Sequence, residues 1–162
     1  MDDPNKRMVR IDLEMTGLDL ERESIIEIAT IITDSELNVI AEGPNLAISV
    51  AEELIEGMDE WNTRHHFGSG LIDRVRNDSV SLEEAERQTL EFIKEHVPKR
   101  TAPLCGNSVW NDRQFLVKEM PSVAKYLHYR MVDVSTIKEL ARRWYPGLPK
   151  FEKKGCLLYT SD

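Results

Sequence analysis

The segment Met8-Val9-Arg10-Ile11-Asp12-Leu13-Glu14-Met15-Thr16-Gly17-Leu18 reads as a strand that carries two acids and then breaks at a glycine. Successive strand side chains point to opposite faces. Val9, Ile11 and Leu13 therefore fall on one face, and Asp12 and Glu14 share the other. Two carboxylates at neighbouring same-face positions repel each other, and burying them without a counter-charge is costly. A divalent cation removes that cost, and hard oxygen ligands suit Mg²⁺ or Mn²⁺. A bare D-x-E pattern more often marks an exposed face with two solvated acids. The apolar residues on both sides and the motifs further along the chain favour the metal-binding reading.

Working outward, Ser24-Ile25-Ile26-Glu27-Ile28-Ala29-Thr30-Ile31-Ile32-Thr33 is β-branched and apolar, as a central strand requires. Asp34-Ser35-Glu36 is a turn. Leu37 to Ala41 returns as a third strand, which Leu46-Ala47-Ile48 extends past the Gly43-Pro44 kink. The chain thus begins with an antiparallel meander. Residues 51–78 read as short helices bearing Trp61 and the pair His65-His66. Ser81-Leu82-Glu83-Glu84 is a capping box. It predicts a helix to about Val97, with Leu82, Ala85, Thr89, Phe92, Ile93 and Val97 on one buried face.

Pro103 to Gly106 predicts a short strand, and Asn107-Ser108 turns the chain into a helix over about Asn111–Glu119. Asp112 sits in that helix's first turn. The dipole explains an acid there, but beside Asp12 and Glu14 it becomes a candidate third ligand. Met131 to Val134 predicts a fifth strand, and Thr136-Ile137-Lys138-Glu139 a second capping box opening a final helix. Three meander strands followed by alternating helices and strands predict an α/β domain with a mixed five-stranded sheet.

The 162 residues suit one domain with a real core, and 41% hydrophobic with 31% charged residues fits a globular protein in water. No apolar run approaches a membrane span, and Met1-Asp2-Asp3-Pro4 does not read as a signal peptide. Cys105 and Cys156 lie in no metal-binding spacing and suggest a reducing, cytoplasmic setting. A net charge of −8 argues against gripping long duplex nucleic acid through phosphate contacts. The charge is uneven. Asp12 to Glu60 holds fourteen acids and one base, whereas Arg130 to Lys154 holds seven bases and three acids. An acidic, metal-binding half beside a basic half suits a small anionic ligand, although charge asymmetry alone is weak evidence.

Three groups of residues resemble oligoribonuclease, a DEDD-type 3′-to-5′ exonuclease of the ribonuclease H-like fold. They are Ile11 to Leu18; Gly106-Asn107-Ser108 with Asp112-Arg113 and Phe115-Leu116; and His128-Tyr129-Arg130 with Asp133-Val134-Ser135-Thr136. The resemblance runs from about residue 8 to Gly155 and implies an exonuclease domain over 1–155 and an atypical tail over 156–162. It implies that Asp12, Glu14 and Asp112 hold two divalent ions. Leu18 would wedge against a base with Trp61 beside it, and Ser108, Arg130, Ser135 and Lys138 would cap the terminal phosphate of a very short RNA. Tyr129 and His66 would reach toward the site of a second subunit, so a homodimer is implied. Each residue also has a plain structural role available to it: Trp61 in the core, Leu18 packing inward at a turn, Arg130 in a surface ion pair.

After Lys153-Lys154-Gly155 the pattern departs from the family. Leu157 stands where the family has its general-base histidine. Asp162 falls at the position of the fourth carboxylate, but as the terminal residue, and is carried as a weak fourth catalytic candidate. The tail is expected to be a truncated or frame-shifted end, and the four histidines to be mostly surface residues that do not replace the missing base. The implied function is hydrolysis of short oligoribonucleotides to mononucleotides, slowed in this chain by Leu157. The rival readings are a catalytically silent module that binds short RNA or nucleotides, and a DEDD exonuclease acting on longer RNA or DNA.

Overall fold

A computed structural model describes residues 3–149. The expectations placed on the tail, Leu157 and Asp162 included, lie outside the described residues. A single five-stranded sheet runs in the order β3-β2-β1-β4-β5. Strand β1 (Met8–Met15) is its centre, antiparallel to β2 (Ile25–Thr33) and parallel to β4 (Leu104–Gly106). Strand β3 (Val39–Ala47) closes one edge antiparallel to β2, and β5 (Met131–Asp133) closes the other parallel to β4. This is the mixed sheet expected, a meander followed by parallel strands, with helices covering its faces.

Alternation in β1 is as the sequence demanded. Val9, Ile11 and Leu13 are buried, and Asp12 and Glu14 are partly open on the opposite face. Strand β2 is buried along nearly its whole length, because helices pack on it from more than one element. The main core lies between the sheet and α4 (Leu82–His96), α5 (Trp110–Glu119) and α6 (Pro121–Tyr126), with Phe115 and Leu116 among its fully buried side chains. A smaller cluster joins Ile26 and Ala47 to the short helices α1 (Glu52–Glu56) and α3 (Leu71–Asn77), which α2 (Glu60–Gly68) separates in the chain.

Two local predictions are refined. Strand β3 continues past Gly43-Pro44 to Ala47, as expected of the extension through Leu46-Ala47, but starts at Val39 instead of Leu37. An edge strand tolerates proline's missing N–H, and the register irregularity between Ala29 and Ile31 of β2 absorbs the pair. Gly43 is required at that point, since a Cβ would stand 2.6 Å from the Phe92 ring of α4. The final helix, α7 (Val134–Trp144), begins two residues before the predicted cap Thr136. Its cap is Asp133, whose carboxylate accepts the Ser135 N–H at 2.9 Å. The Ser81 cap of α4 is as predicted, accepting the Glu84 N–H at 3.2 Å.

Candidate active site

Strand β4 is only three residues long and pairs with β1 at Val9 and Arg10. Beyond Arg10 the β4-facing edge of β1 is open, and a buried backbone donor there needs a partner. Asp112 supplies it. Its Oδ1 accepts the Leu13 N–H at 3.1 Å, which seats the carboxyl between Asp12 and Glu14 along the strand. The approach depends on the turn before α5. Gly106 has no room for a Cβ, which would lie 2.8 Å from Val109 Cγ2, and Ser108 takes a left-handed φ of 55°. These two residues swing the chain so that the first turn of α5 points back at β1.

The electrostatics follow. Burial pushes the Asp112 carboxyl up to about 7, against the pull of the Leu13 N–H, and the nearby charge of Asp12 adds to the rise. Glu27 stands opposite Glu14 in the β1–β2 ladder and is fully buried. Its pKa is raised by burial first; the Arg74 guanidinium, hydrogen-bonded to it, works the other way, and Asp12 again adds to the rise. The sequence signal for Glu27 was a lone acid inside an apolar β run, and the strand reading passed over it. Asp12, Glu14 and Asp112 thus lie along the end of the central strand, with Glu27 opposite Glu14 and bonded to Arg74. Their hard oxygens are of the kind that suits divalent cations, but the three do not bring their ligand atoms within 4.8 Å of one another.

Histidines contribute more than expected. His66 is fully buried rather than on the surface. Its Nε2 faces the Met15 carbonyl at 3.0 Å, and its Nδ1, which has no hydrogen-bond partner, lies 3.9 Å from Glu14 Oε2. Burial lowers its pKa, so the neutral ring is favoured. With Nε2–H donating to Met15, Nδ1 presents a lone pair toward Glu14. Among the described residues, the grouping whose ligand atoms all come within 4.8 Å of one another, and so could hold a metal ion, is Glu14, His65 and His66. Neighbours on a helix point apart, so the pair His65-His66 forms no site by itself; Glu14 brings the two into one group. The expected reach of His66 into another subunit does not hold for a ring sealed inside its own chain.

The substrate residues divide into two groups. Asp133, at the junction of β5 and α7, accepts the Ser108 N–H at 2.8 Å and the Ser135 hydroxyl at 2.6 Å as well as the Ser135 N–H. Burial works to raise its pKa, but these bonds and one from the Trp110 N–H hold it below the ordinary carboxylate range. Lys138 on α7 donates to Asn107 Oδ1 at 3.0 Å. Ser108, Ser135 and Lys138 are therefore gathered at one turn. Arg130 is not drawn into that group. Its Nε donates to the Tyr129 hydroxyl at 3.1 Å, with the guanidinium 5.4 Å from that ring. Leu18, Trp61 and Tyr129 are all exposed, so none serves the core, and Trp61 stacks on His65 at 4.9 Å.

Known proteins resemble this chain in sequence and in fold. Residues 9–156 match the Exonuclease family. The oligoribonuclease of Pseudomonas aeruginosa is 57% identical over 150 residues, covering 93% of this chain and 83% of its own. A probable oligoribonuclease of Dictyostelium discoideum is 56% identical over 152 residues, covering 94% and 80%. Exonuclease I of E. coli, solved in complex with a dT13 oligonucleotide, superposes with a TM-score of 0.68 at 16% identity. That match covers 92% of this chain but 32% of the exonuclease I chain, so it carries the fold alone. Among the described residues, no helix is long and apolar enough to cross a membrane.

Proposed function

Because this chain belongs to the oligoribonuclease family of exonucleases, we propose that it is a 3′-to-5′ exoribonuclease that cuts RNAs of a few nucleotides to mononucleotides. The observation that carries this reading is the Asp112 carboxyl, seated at the Leu13 N–H between Asp12 and Glu14 and held back from ionising by burial. Such a group ionises readily only beside added positive charge. In the proposal Asp12, Glu14 and Asp112 hold two divalent ions, Mg²⁺ or Mn²⁺. When bound, such a pair supplies an activated water and stabilises charge on the leaving oxygen.

The chain's own residues bind and orient the RNA. Lys138 and the exposed fork of Arg130 offer charge to a terminal phosphate. Ser108 and Ser135 stand beside it, the latter by turning its hydroxyl away from Asp133. Leu18 and Trp61 give apolar and stacking surfaces that tolerate any base. His66 is assigned to the Glu14 site of its own chain, where its Nδ1 lone pair can face a cation. Tyr129, exposed at the end of its loop, is the residue offered to a second copy in a twofold homodimer. The proposed location is the cytoplasm.

The test is incubation of a 5′-labelled dinucleotide and a 5′-labelled longer RNA with the protein and Mg²⁺ or Mn²⁺. The expected result is preferential conversion of the dinucleotide to mononucleotide, slow because Leu157 occupies the general-base position, and abolished in Asp12→Asn. Equal or faster attack on the longer RNA would assign a different exonuclease specificity. Binding without any turnover at high enzyme concentration would mark a silent binding module.

A further inference from the structure

Helix α2 brings two adjacent imidazoles to the end of β1, and a different contact holds each. The His66 ring is fully buried, with Nε2 at 3.0 Å from the Met15 carbonyl. That bond fixes the tautomer, so Nε2 keeps the proton and Nδ1 its lone pair. Nδ1 is buried without a hydrogen-bond partner. It lies 3.9 Å from Glu14 Oε2, too far for a hydrogen bond. A histidine with one nitrogen on a backbone carbonyl and the other bare is in the arrangement that metal-bound histidines adopt. The His65 ring is exposed and lies flat on Trp61, with centroids 4.9 Å apart and planes within 15°. It meets His66 edge-on at 5.5 Å.

Ligand atoms of Glu14, His65 and His66 already lie within 4.8 Å of one another. Tetrahedral zinc, with its ligands at about 2.0–2.2 Å, needs them roughly 3.3–3.6 Å apart. His66 is sealed in place, so the remaining closure falls to the side chains of Glu14 and the exposed His65. Two imidazole nitrogens and one glutamate oxygen, with a fourth position open, form a donor set that zinc adopts. Mg²⁺ and Mn²⁺ favour oxygen ligands. The two sides of Glu14 therefore differ in chemistry. Asp12 and Asp112 offer hard oxygens along β1, and α2 offers nitrogens. Glu14 is the member common to both.

We propose that Glu14, His65 and His66 form a zinc site, and that Zn²⁺ bound there inhibits RNA cleavage by taking Glu14 from the Mg²⁺ or Mn²⁺ pair. The binding step stands on the geometry of α2 and β1 alone. The inhibition rests on the exoribonuclease reading, in which Glu14 is a ligand of the working ions. An ion held there lies between Glu14 and the helix that carries Trp61, so it also borders the surface offered to a base.

The test is calorimetric titration of Zn²⁺ into the full chain in millimolar Mg²⁺, with the visible absorption of bound Co²⁺ as a second readout. Wild type, His65→Ala, His66→Gln and Asp12→Asn are compared. His65 is exposed, so its variant keeps the fold and decides the matter even if His66→Gln melts early. Losing an outer partner of a metal ligand weakens binding by about 10–100-fold, so losing the ligand itself should weaken Zn²⁺ by at least ~100-fold. Asp12→Asn should stay near wild type. Unchanged affinity in His65→Ala, or no binding by wild type at micromolar Zn²⁺, overturns the site. Loss in Asp12→Asn with retention in His65→Ala places zinc among the carboxylates and overturns it too. Inhibition is read as the Zn²⁺ concentration that halves dinucleotide turnover in Mg²⁺, each variant against its own zinc-free rate. That concentration should rise in His65→Ala by the same factor as the Kd. Equal inhibition of His65→Ala and wild type overturns the regulatory step. Absence of turnover in every metal would overturn the exoribonuclease reading, and the inhibition with it, while the titration still decides the site.

Discussion

Helices α5 and α7 each follow a three-residue parallel strand, yet they are held in opposite ways. α5 is tied to the sheet at both ends: Asp112 accepts the Leu13 N–H of β1, and Glu119 accepts the Ser24 hydroxyl and the Ile25 N–H of β2, each at 3.0 Å. Between these ties Phe115 and Leu116 are fully buried. α7 buries no residue at all, although Ile137, Leu140 and Trp144 are apolar and exposed. Among the described residues, its ties to the rest of the fold lie near its start, through Asp133 and Lys138. Of the proposed site residues, Asp112 thus rides on the tied helix, whereas Ser135 and Lys138, proposed to contact phosphate, ride on the other. A metal site tolerates little displacement of its ligands, whereas a pocket that admits and releases RNA ends needs an element that can yield.

The comparison is tested most severely at Asp112. Asp112→Asn keeps an acceptor for the Leu13 N–H but removes the charge. Turnover should fall by ~10²–10³, the scale for loss of one preorganised electrostatic group, while the metal-free protein should become more stable at neutral pH. The sign follows from the raised pKa. Between about 4 and about 7 the folded state holds a proton on Asp112 that the unfolded chain has released. Wild-type apo stability from this group is therefore lost as pH rises through that window, and Asn cannot show the loss. Thermal melts in EDTA from pH 4.5 to 7.5 would check it. A parallel decline in both proteins would mean that the Asp112 carboxyl is not the group that titrates.

Glu119→Ala comes next. It cuts the far tie of α5 and leaves the Ile25 N–H without its partner. A hydrogen bond to a charged group contributes about 1.5–3 kcal/mol, so chemical denaturation should show a loss of that order. Turnover should fall as well, because Asp112 sits at the other end of the same helix. Unchanged turnover in the destabilised variant would show that the near tie alone fixes the site.

What was legible in the sequence follows the same division. In β1 the alternation of Val9, Ile11 and Leu13 with Asp12 and Glu14 is a period-two pattern that packing enforces, and it read correctly. Ser81 read correctly as a cap: it accepts the Glu84 N–H, while the Glu84 carboxylate itself pairs with Arg87. Thr136 met the same pattern and was misread. Glu139 pairs with Arg142 and Arg143 much as Glu84 pairs with Arg87, but Asp133 caps from three residues earlier because a strand hands the chain directly to the helix. His66 and Glu27 were missed for a further reason. Their burial is set by partners 51 and 47 residues away, Met15 and Arg74, which no local pattern displays.

Asp133→Ala should act on the loose unit alone. The loss of a helix cap costs about 1 kcal/mol, and the Ser108 turn loses its anchor too. Hydrogen exchange should quicken through Val134 to Trp144 and around Ser108, with α5 unaffected. The dinucleotide KM should rise more than kcat falls, because the carboxylates keep their places. If exchange in α5 quickens equally, the two units are one cooperative body and the contrast between them fails.

Lys138→Ala is the mildest change and separates two roles that the Asp133 variant mixes. Lys138 is exposed, and its bond to Asn107 is the kind of surface contact that adds little to stability. The melting temperature should therefore stay within a degree or so of wild type. Its ammonium, however, stands beside Ser108 and Ser135, where a terminal phosphate is proposed to lie. The dinucleotide KM should rise by about threefold to tenfold, as for loss of one charge-assisted contact to phosphate in partial solvent, and Lys138→Arg should recover most of it. A longer RNA, whose end extends past this turn, should lose less. Should Lys138→Ala weaken both substrates alike, the lysine would be acting as general positive charge on α7, and the phosphate cap would reduce to Ser108, Ser135 and Arg130.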